Sequence, residues 1–435
     1  MTPLELGFYS MGAVILLIAM RLPIGIVLGL VSILGIAYMR GIDVAFGMLK
    51  TIPFDFAAHW ALSAIPMFLL MGSVAHHSGI SSSLFRAARL WLSGLPGGLA
   101  VATNFACAGF AAASGSSVAT AAAMGRVAIP EMLRAGYQKG LATGTVAAAG
   151  TLGSLIPPSI LFVLYGIFAE VSITKLLIAG VFPGLLTAAV YAGMIITRCK
   201  LNPKLAPPIS MDANWRERFE ALGEVWPLLV LILGIIGGLY SGLVTPTEAG
   251  AFGASLSFLI AFVQRRLTWK LIKDSVNEAV TSTARIFFVA VGAVLLTKYL
   301  ALTGVPVFLG HMIGDWALDP LLLVVATSLI YLVLGMFLDP LGLLLITLPI
   351  LLPMFEALHL DLIWFGVLVV KYLEIGLLTP PVGFNVYVIK SVVGDTIPLE
   401  TIFKGVMWFL ACELVIVTLL VAFPEISLYL PSTME

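Results

Sequence analysis

The sequence predicts an all-α integral membrane protein of about ten transmembrane helices, built as two inverted repeats that each carry a re-entrant helical hairpin. Three observations predict it. Hydrophobic residues make up 60% of the 435 and charged residues 11%, whereas soluble domains carry about 25% charge. Apolar stretches long enough to cross about 30 Å of hydrocarbon recur from end to end. And two segments 223 positions apart repeat one arrangement of glycine, proline and polar residues.

From the N-terminus, Phe8–Met20 and Ile24–Met39 read as the first apolar stretches. No basic n-region or small-residue cleavage site precedes them, so the first is expected to be retained as a span. The first repeat then shows two apolar stretches, Gly97–Ala113 and Ala119–Met132, separated by a break of glycine and serine. A span over 140–169 follows, interrupted at Gly153–Pro158. Leu176–Ile196 closes this half.

Two helices near 226–241 and 246–263 connect the halves. The second copy repeats the order: Leu321–Phe337 and Leu343–Phe355 around a polar break at Asp339, then a span over 361–393 interrupted at Gly376–Pro381, then Phe403–Phe423. One offset superimposes Pro130 on Pro353, Gly153 on Gly376, Pro157-Pro158 on Pro380-Pro381 and Ser116 on Asp339. The expected divisions are 1–220 as the first repeat with its hairpin near 97–133, 221–274 as the connecting pair, and 275–435 as the second repeat with its hairpin near 321–356.

Charge sets the orientation. Arg86, Arg89, Arg134 and Lys139 flank the first hairpin, while His311, Asp315, Asp319, Glu356, His359 and Asp361 occupy the corresponding places around the second. Lys and Arg collect in short cytoplasmic loops, so the copies enter the bilayer from opposite faces. Clusters at Arg198/Lys200/Lys204/Arg216/Arg218 and Arg265/Arg266/Lys270/Lys273 read as cytoplasmic. Both termini then fall outside, although Arg40 and Lys50 oppose the rule. The only polar linker, Cys199–Glu224, is expected to be an extended surface segment.

The breaks carry the functional expectation. Proline removes a backbone donor and clashes with the preceding turn, so both spans must open near their middles. Irregular backbone survives at that depth only inside protein or around a water-filled site, and matched interrupted segments in two repeats point to a transporter's binding site. Asp339 is the one charge in the run from Leu321 to Phe355. It reads as a functional group, as the cap of a hairpin arm, or as both. Ser114, Ser116, Ser117 and Thr120 are its counterparts, and suit either a hard cation or close helix packing. Lys371 and Glu374 read as a structural ion pair. Arg126 serves either to attract an anion or to cap the hairpin. His76-His77 reads as a solvated pair at a helix end.

Other classes find no support. Formal net charge is zero, which gives nucleic acid no basic patch. Cys107, Cys199 and Cys412 have no metal-type spacing. Neither a P-loop nor an HExxH motif occurs, and a channel has no need of two opposed broken helices around one site.

At these residues the sequence resembles the large membrane subunit of tripartite ATP-independent periplasmic (TRAP) transporters. The matching elements are SGSSVATAAA from Ser114 to Ala123, IPEM from Ile129 to Met132, AGTLG from Ala149 to Gly153 followed by IPPS from Ile156 to Ser159, and Tyr165-Gly166. TPTEA from Thr245 to Ala249, TPPVG from Thr379 to Gly383 with Asn385 and Tyr387, and LPGGL from Leu95 to Leu99 also match. Ser154-Leu155 departs from the expected proline and aliphatic residue.

The resemblance implies an elevator-type, sodium-coupled transporter of the bacterial inner membrane. It implies a small four-helix membrane subunit and a periplasmic substrate-binding protein as partners. One sodium site would involve Gly115, Ser116, Gly153 and Pro157, and a second Gly335, Asp339, Gly376 and Thr379. A carboxylate substrate, of the C4-dicarboxylate or sialic acid class, would sit near Ser117, Thr120 and Asn385. Helix N-termini at the breaks offer positive dipole ends to such an anion. Proton coupling through Asp339 and a stand-alone divalent-anion symporter without a binding protein are the alternatives.

Overall fold

The computed structural model describes residues 1–208, 214–315 and 319–434, without the side chains of 313–315. Positions 209–213 of the polar linker and the Asp315 side chain lie outside the described residues.

Local sequence sets where the hairpins turn. Gly98–Ser114 forms the inner arm of the first, Gly115 turns the chain at φ 62°, and Ser116 caps the outer arm Ser117–Arg134 by accepting from the Ala119 amide. A left-handed residue with little side chain is what this turn requires, and glycine supplies it. The second hairpin has arms Pro320–Gly335 and Pro340–Ala357, the outer one capped by Asp339. Bounds from sequence and structure agree here to within about three residues, because Gly and Pro punctuate both units.

The interrupted spans also form. Lys139–Leu155 and Ile160–Phe168 bend by 42° around the proline pair. Leu362–Gly376 and Phe384–Val393 flank the other. Both Pro-Pro bonds are cis.

Two hydrogen bonds give the direction in which these spans pass each other. Asn385 Nδ2 donates to the Ala147 carbonyl at 3.1 Å, and Tyr165 Oη donates to the Leu362 carbonyl at 2.7 Å. As one span proceeds from 147 to 165 its neighbour therefore runs back from 385 to 362, an antiparallel pair. Each hairpin's outer arm meets the far half of the other copy's broken span. Gly125 faces Ile389 and Val392, and Leu348 to Pro353 share a cavity wall with Phe168 to Glu170.

Five helices are long and apolar enough to cross a bilayer alone: Ile173–Leu201 (bent little at Gly180), Pro246–Val263, Trp269–Thr303, Pro340–Ala357 and Leu399–Ala422. Three bent pairs qualify only as pairs, which makes eight. Shorter apolar helices are Pro3–Ala19, Ile24–Arg40 and the inner arms of the two hairpins. Outward faces carry large apolar side chains such as Leu229, Leu233, Leu259, Leu321 and Leu329. In water so large a patch is an aggregation hazard; against lipid it is the required surface.

Trp269–Thr303 was not legible as one element. It has 35 residues, about 52 Å at 1.5 Å per residue, so it overruns the hydrocarbon. It packs on Ile24–Arg40 through close approaches at Gly25, Gly35 and Gly292 and on Ala64–His77, forming the wall that faces the first hairpin.

Two expectations are corrected. The linker is not extended throughout: Trp215–Gly223 is a helix whose Trp215 and Phe219 pack edge-on against Trp91, while Arg86 pairs with Glu224 at 2.9 Å. An aromatic face plus a charged one suits an interfacial helix. Nor is His76 fully solvated, although His77 is exposed and both lie at the helix end, in the last turn of Ala64–His77, as expected. His76 is half-buried against Phe110.

Candidate functional site at the paired helix breaks

Helix chemistry predicts which carbonyls a Pro-Pro break strands. In an α-helix each carbonyl accepts from the amide four residues on. Pro157 and Pro158 have no N–H, so the Gly153 and Ser154 carbonyls lose their partners; Pro380 and Pro381 do the same to Gly376 and Leu377. The chain recaps only part of this loss. Ser154 O accepts from the Ser159 hydroxyl, and Leu377 O accepts from the Asn385 amide at 3.1 Å. Gly376 O receives only the Thr379 amide at a long 3.3 Å. The Gly153 carbonyl gets no amide from Pro157.

The hairpin tips close on these glycines. A Cβ on Gly153 would stand 2.5 Å from the Ser116 carbonyl oxygen and 2.8 Å from Thr120 Oγ1. One on Gly376 would stand 2.9 Å from the Gly335 Cα and 3.0 Å from the Gly335 carbonyl oxygen. Gly115 lies against the Pro158 carbonyl, its Cβ position 2.6 Å from that oxygen. Hairpin-tip backbone thus closes on the matched glycine of each broken span, from Ser116 in the first copy and from Gly335 in the second. Each junction holds carbonyl oxygens without full helical partners, a hard-oxygen donor set of the kind that binds alkali cations in broken-helix carriers.

Ser116 and Gly153 are therefore brought together, and so are Gly335 and Gly376; Gly115 meets Pro158, the neighbour of the expected Pro157. Thr379 borders the second junction, its hydroxyl donating to the Ile375 carbonyl at 2.7 Å. Asp339 is half-buried, and its Oδ2 accepts from the Gly342 amide at 3.0 Å. A carboxylate has about four lone-pair sites, so this bond takes up one of them.

The three residues expected around a substrate are all buried. Ser117 donates to the Thr151 carbonyl at 3.1 Å and contacts Ser154, the residue where the family pattern departs. Thr120 pairs with Ser114 at 2.6 Å. Asn385 is spent on Ala147, one turn before Thr151, and its Oδ1 has no partner although buried.

One open space lies beside the first hairpin. A cavity of about 250 Å³ separates its outer arm from Ala64–His77 and Trp269–Thr303, with Ser114, Ser116 and Arg126 on one wall and Ser73, His76, Glu278 and Ser282 on the other. Arg86, Arg89 and Arg134 pair with Glu224 or Glu131, whereas Arg126 has no ion-pair partner among the described residues. It faces the cavity and does not cap the hairpin.

Sequence reasoning missed a partner in the buried ion cluster. Lys371 Nζ lies 2.9 Å from Glu374 Oε2, 2.9 Å from Glu413 Oε1 and 3.0 Å from Thr187 Oγ1, and Tyr191 donates to Glu413 as well. The signal was present: Glu413 is the single charge between Lys404 and Glu425, and an ionisable residue in such a run calls for a partner.

The apolar spans and the paired breaks define a multi-pass membrane protein of transporter type. The profile of the DctM component of tripartite ATP-independent periplasmic transporters matches residues 11–426, and the chain belongs to that family.

Relatives agree. The C4-dicarboxylate TRAP transporter large permease protein DctM of Pseudomonas aeruginosa is 37% identical over 382 residues, covering 87% of this chain and 88% of that one. The sialic acid TRAP transporter large permease protein SiaM of Vibrio cholerae is 34% identical, with 86% of each chain covered. The isethionate TRAP transporter permease protein DctMQ of Oleidesulfovibrio alaskensis is 32% identical over 98% of this chain but only 66% of its own length. Among solved structures, the Alcanivorax borkumensis YdaH transporter superposes with TM-score 0.59 at 16% identity, covering 89% of this chain and 90% of that one, a likeness of fold.

Proposed function

We propose that this large permease carries out sodium-coupled uptake of an organic carboxylate, of the C4-dicarboxylate or sialic acid type, by an elevator movement of the hairpins and broken spans against the long-helix wall. The observation that carries the reading is the pair of glycine junctions, Gly153 with Ser116 and Gly376 with Gly335, where hairpin-tip backbone closes on the residues whose carbonyls the prolines strand. Two sodium ions held there, the second also by Asp339 and Thr379, would fasten each hairpin to its broken span. The substrate carboxylate goes to Arg126, the unpaired cation of the cavity next to the first junction. Ser117 acts behind it by holding the hairpin on its broken span, Thr120 by bracing the hairpin tip through Ser114, and Asn385 by tying the two broken spans together.

A periplasmic binding protein delivers the substrate, and a small four-helix membrane subunit flanks the permease. Support for the latter is the isethionate relative, a single chain that continues well beyond the part this permease matches. The test is uptake of a panel of labelled organic acids into proteoliposomes, with and without the binding protein and the small subunit. Transport that requires both supports the reading, and full transport by the permease alone rules out the delivery step.

A further inference from the structure

We propose that the cavity beside the first hairpin selects a monocarboxylate bearing hydroxyl groups and rejects a dicarboxylate, with Glu278 as the excluding residue. The inference rests on the carboxylate reading above and names the substrate class within it.

Among the described lining residues Arg126 is the one permanent cation and Glu278 the one carboxylate. They stand on opposite walls, Arg126 on the hairpin and Glu278 on the long helix. Glu278 is held in place from the neighbouring helix: Ser73 donates to its Oε2 at 2.5 Å, and His77 Nε2 lies 3.2 Å from the same oxygen. That leaves Oε1 free to accept from a ligand.

The space is small, about 250 Å³, or roughly eight waters at about 30 Å³ each. A ligand whose carboxylate sits on Arg126 and that reaches across the cavity brings its other end to the Glu278 wall. A second carboxylate there meets a fixed like charge, a repulsive element of the kind that sets specificity. A hydroxyl donates a charge-assisted hydrogen bond to Glu278 instead.

The rest of the lining fits the same ligand. Ser114, Ser116 and Ser282 both donate and accept, and supply no charge to neutralise a second anion. His76 Nδ1 is buried and without a partner, a further group that a hydroxyl satisfies whether as donor or acceptor.

The experiment uses the membrane complex as it purifies, in lipid nanodiscs with sodium present, and titrates gluconate and succinate by equilibrium binding. Wild type should bind gluconate at least about tenfold more tightly than succinate, and Glu278→Gln should tighten succinate about tenfold without strengthening gluconate. Equal affinities in the wild type, or a preference for succinate, would overturn the inference while leaving the carboxylate reading intact. Binding of neither acid by the wild type would overturn both. Should Glu278→Gln fail to fold, the wild-type ratio decides.

Discussion

Gly376 stands against Gly335 so closely that a methyl group on the first would lie 2.9 Å from the Cα of the second. Nothing larger than hydrogen fits between the second hairpin and its broken span. The first copy has the same relationship at Gly153, with the Ser116 carbonyl as the facing group. Overpacking a close contact costs about 1–3 kcal/mol, which a folded membrane protein can absorb, but it also drives the tip carbonyls away from the stranded ones. Gly376→Ala and Gly153→Ala should therefore leave folded protein in the membrane and raise the sodium concentration for half-maximal uptake about tenfold or more. Uptake at several sodium concentrations checks this. An unchanged half-maximal value would remove the glycine junctions from ion binding.

Asp339 caps the outer hairpin arm, and in the proposed function its charge has a second, separable role at the second cation site. Asparagine keeps the cap, at a cost of a few tenths of a kcal/mol at most, and removes the charge. Asp339→Asn should then fold normally and lose uptake, as should Asp339→Ala with about 1 kcal/mol of lost stability besides. Normal uptake by the asparagine variant would confine Asp339 to capping.

Arg126 is predicted to act on substrate alone. Arg126→Gln should raise the substrate KM at least about tenfold and leave the sodium dependence of the residual uptake unchanged. A shift in sodium dependence with substrate KM intact would contradict its place on the cavity wall.

The buried cluster makes a prediction about folding. Lys371, Glu374 and Glu413 are all solvent-free, and removing one member of a buried ion pair costs about 3–5 kcal/mol. Lys371→Met should sharply lower the melting temperature of the purified protein, and adding Glu374→Gln and Glu413→Gln should restore most of it. A single variant as stable as the wild type would show that the cluster does not hold Leu362–Gly376 to the helices behind it.

How much of this was legible in the sequence follows from the range of each interaction. Gly115, Ser116, Asp339 and the two proline pairs act on their own backbone within a turn, so the hairpins and breaks could be read before any packing was known. Lys371 with Glu374 is likewise a contact within one helix. Glu413 joins them from 42 residues away, and its pairing depends on how Leu399–Ala422 docks, which no local pattern encodes. The cavity shows the same limit. Arg126 was singled out as a charge seeking a role, but Glu278 and His76 come from two other helices and become its neighbours only once the fold is assembled. Ser117, Thr120 and Asn385 are given a substrate role only by the family resemblance; the bonds of Ser117 to Thr151 and of Asn385 to Ala147 join segments that no local pattern places together, while Thr120 bonds to Ser114 across the hairpin tip.

The account depends on two cation sites at the junctions, and the initial rate of substrate uptake as a function of external sodium tests it most directly. With the binding protein and small subunit present, and potassium replacing sodium at constant ionic strength, the rate should rise sigmoidally with sodium and vanish without it. An equal rate in potassium alone would contradict the central claim, whatever the hairpins look like.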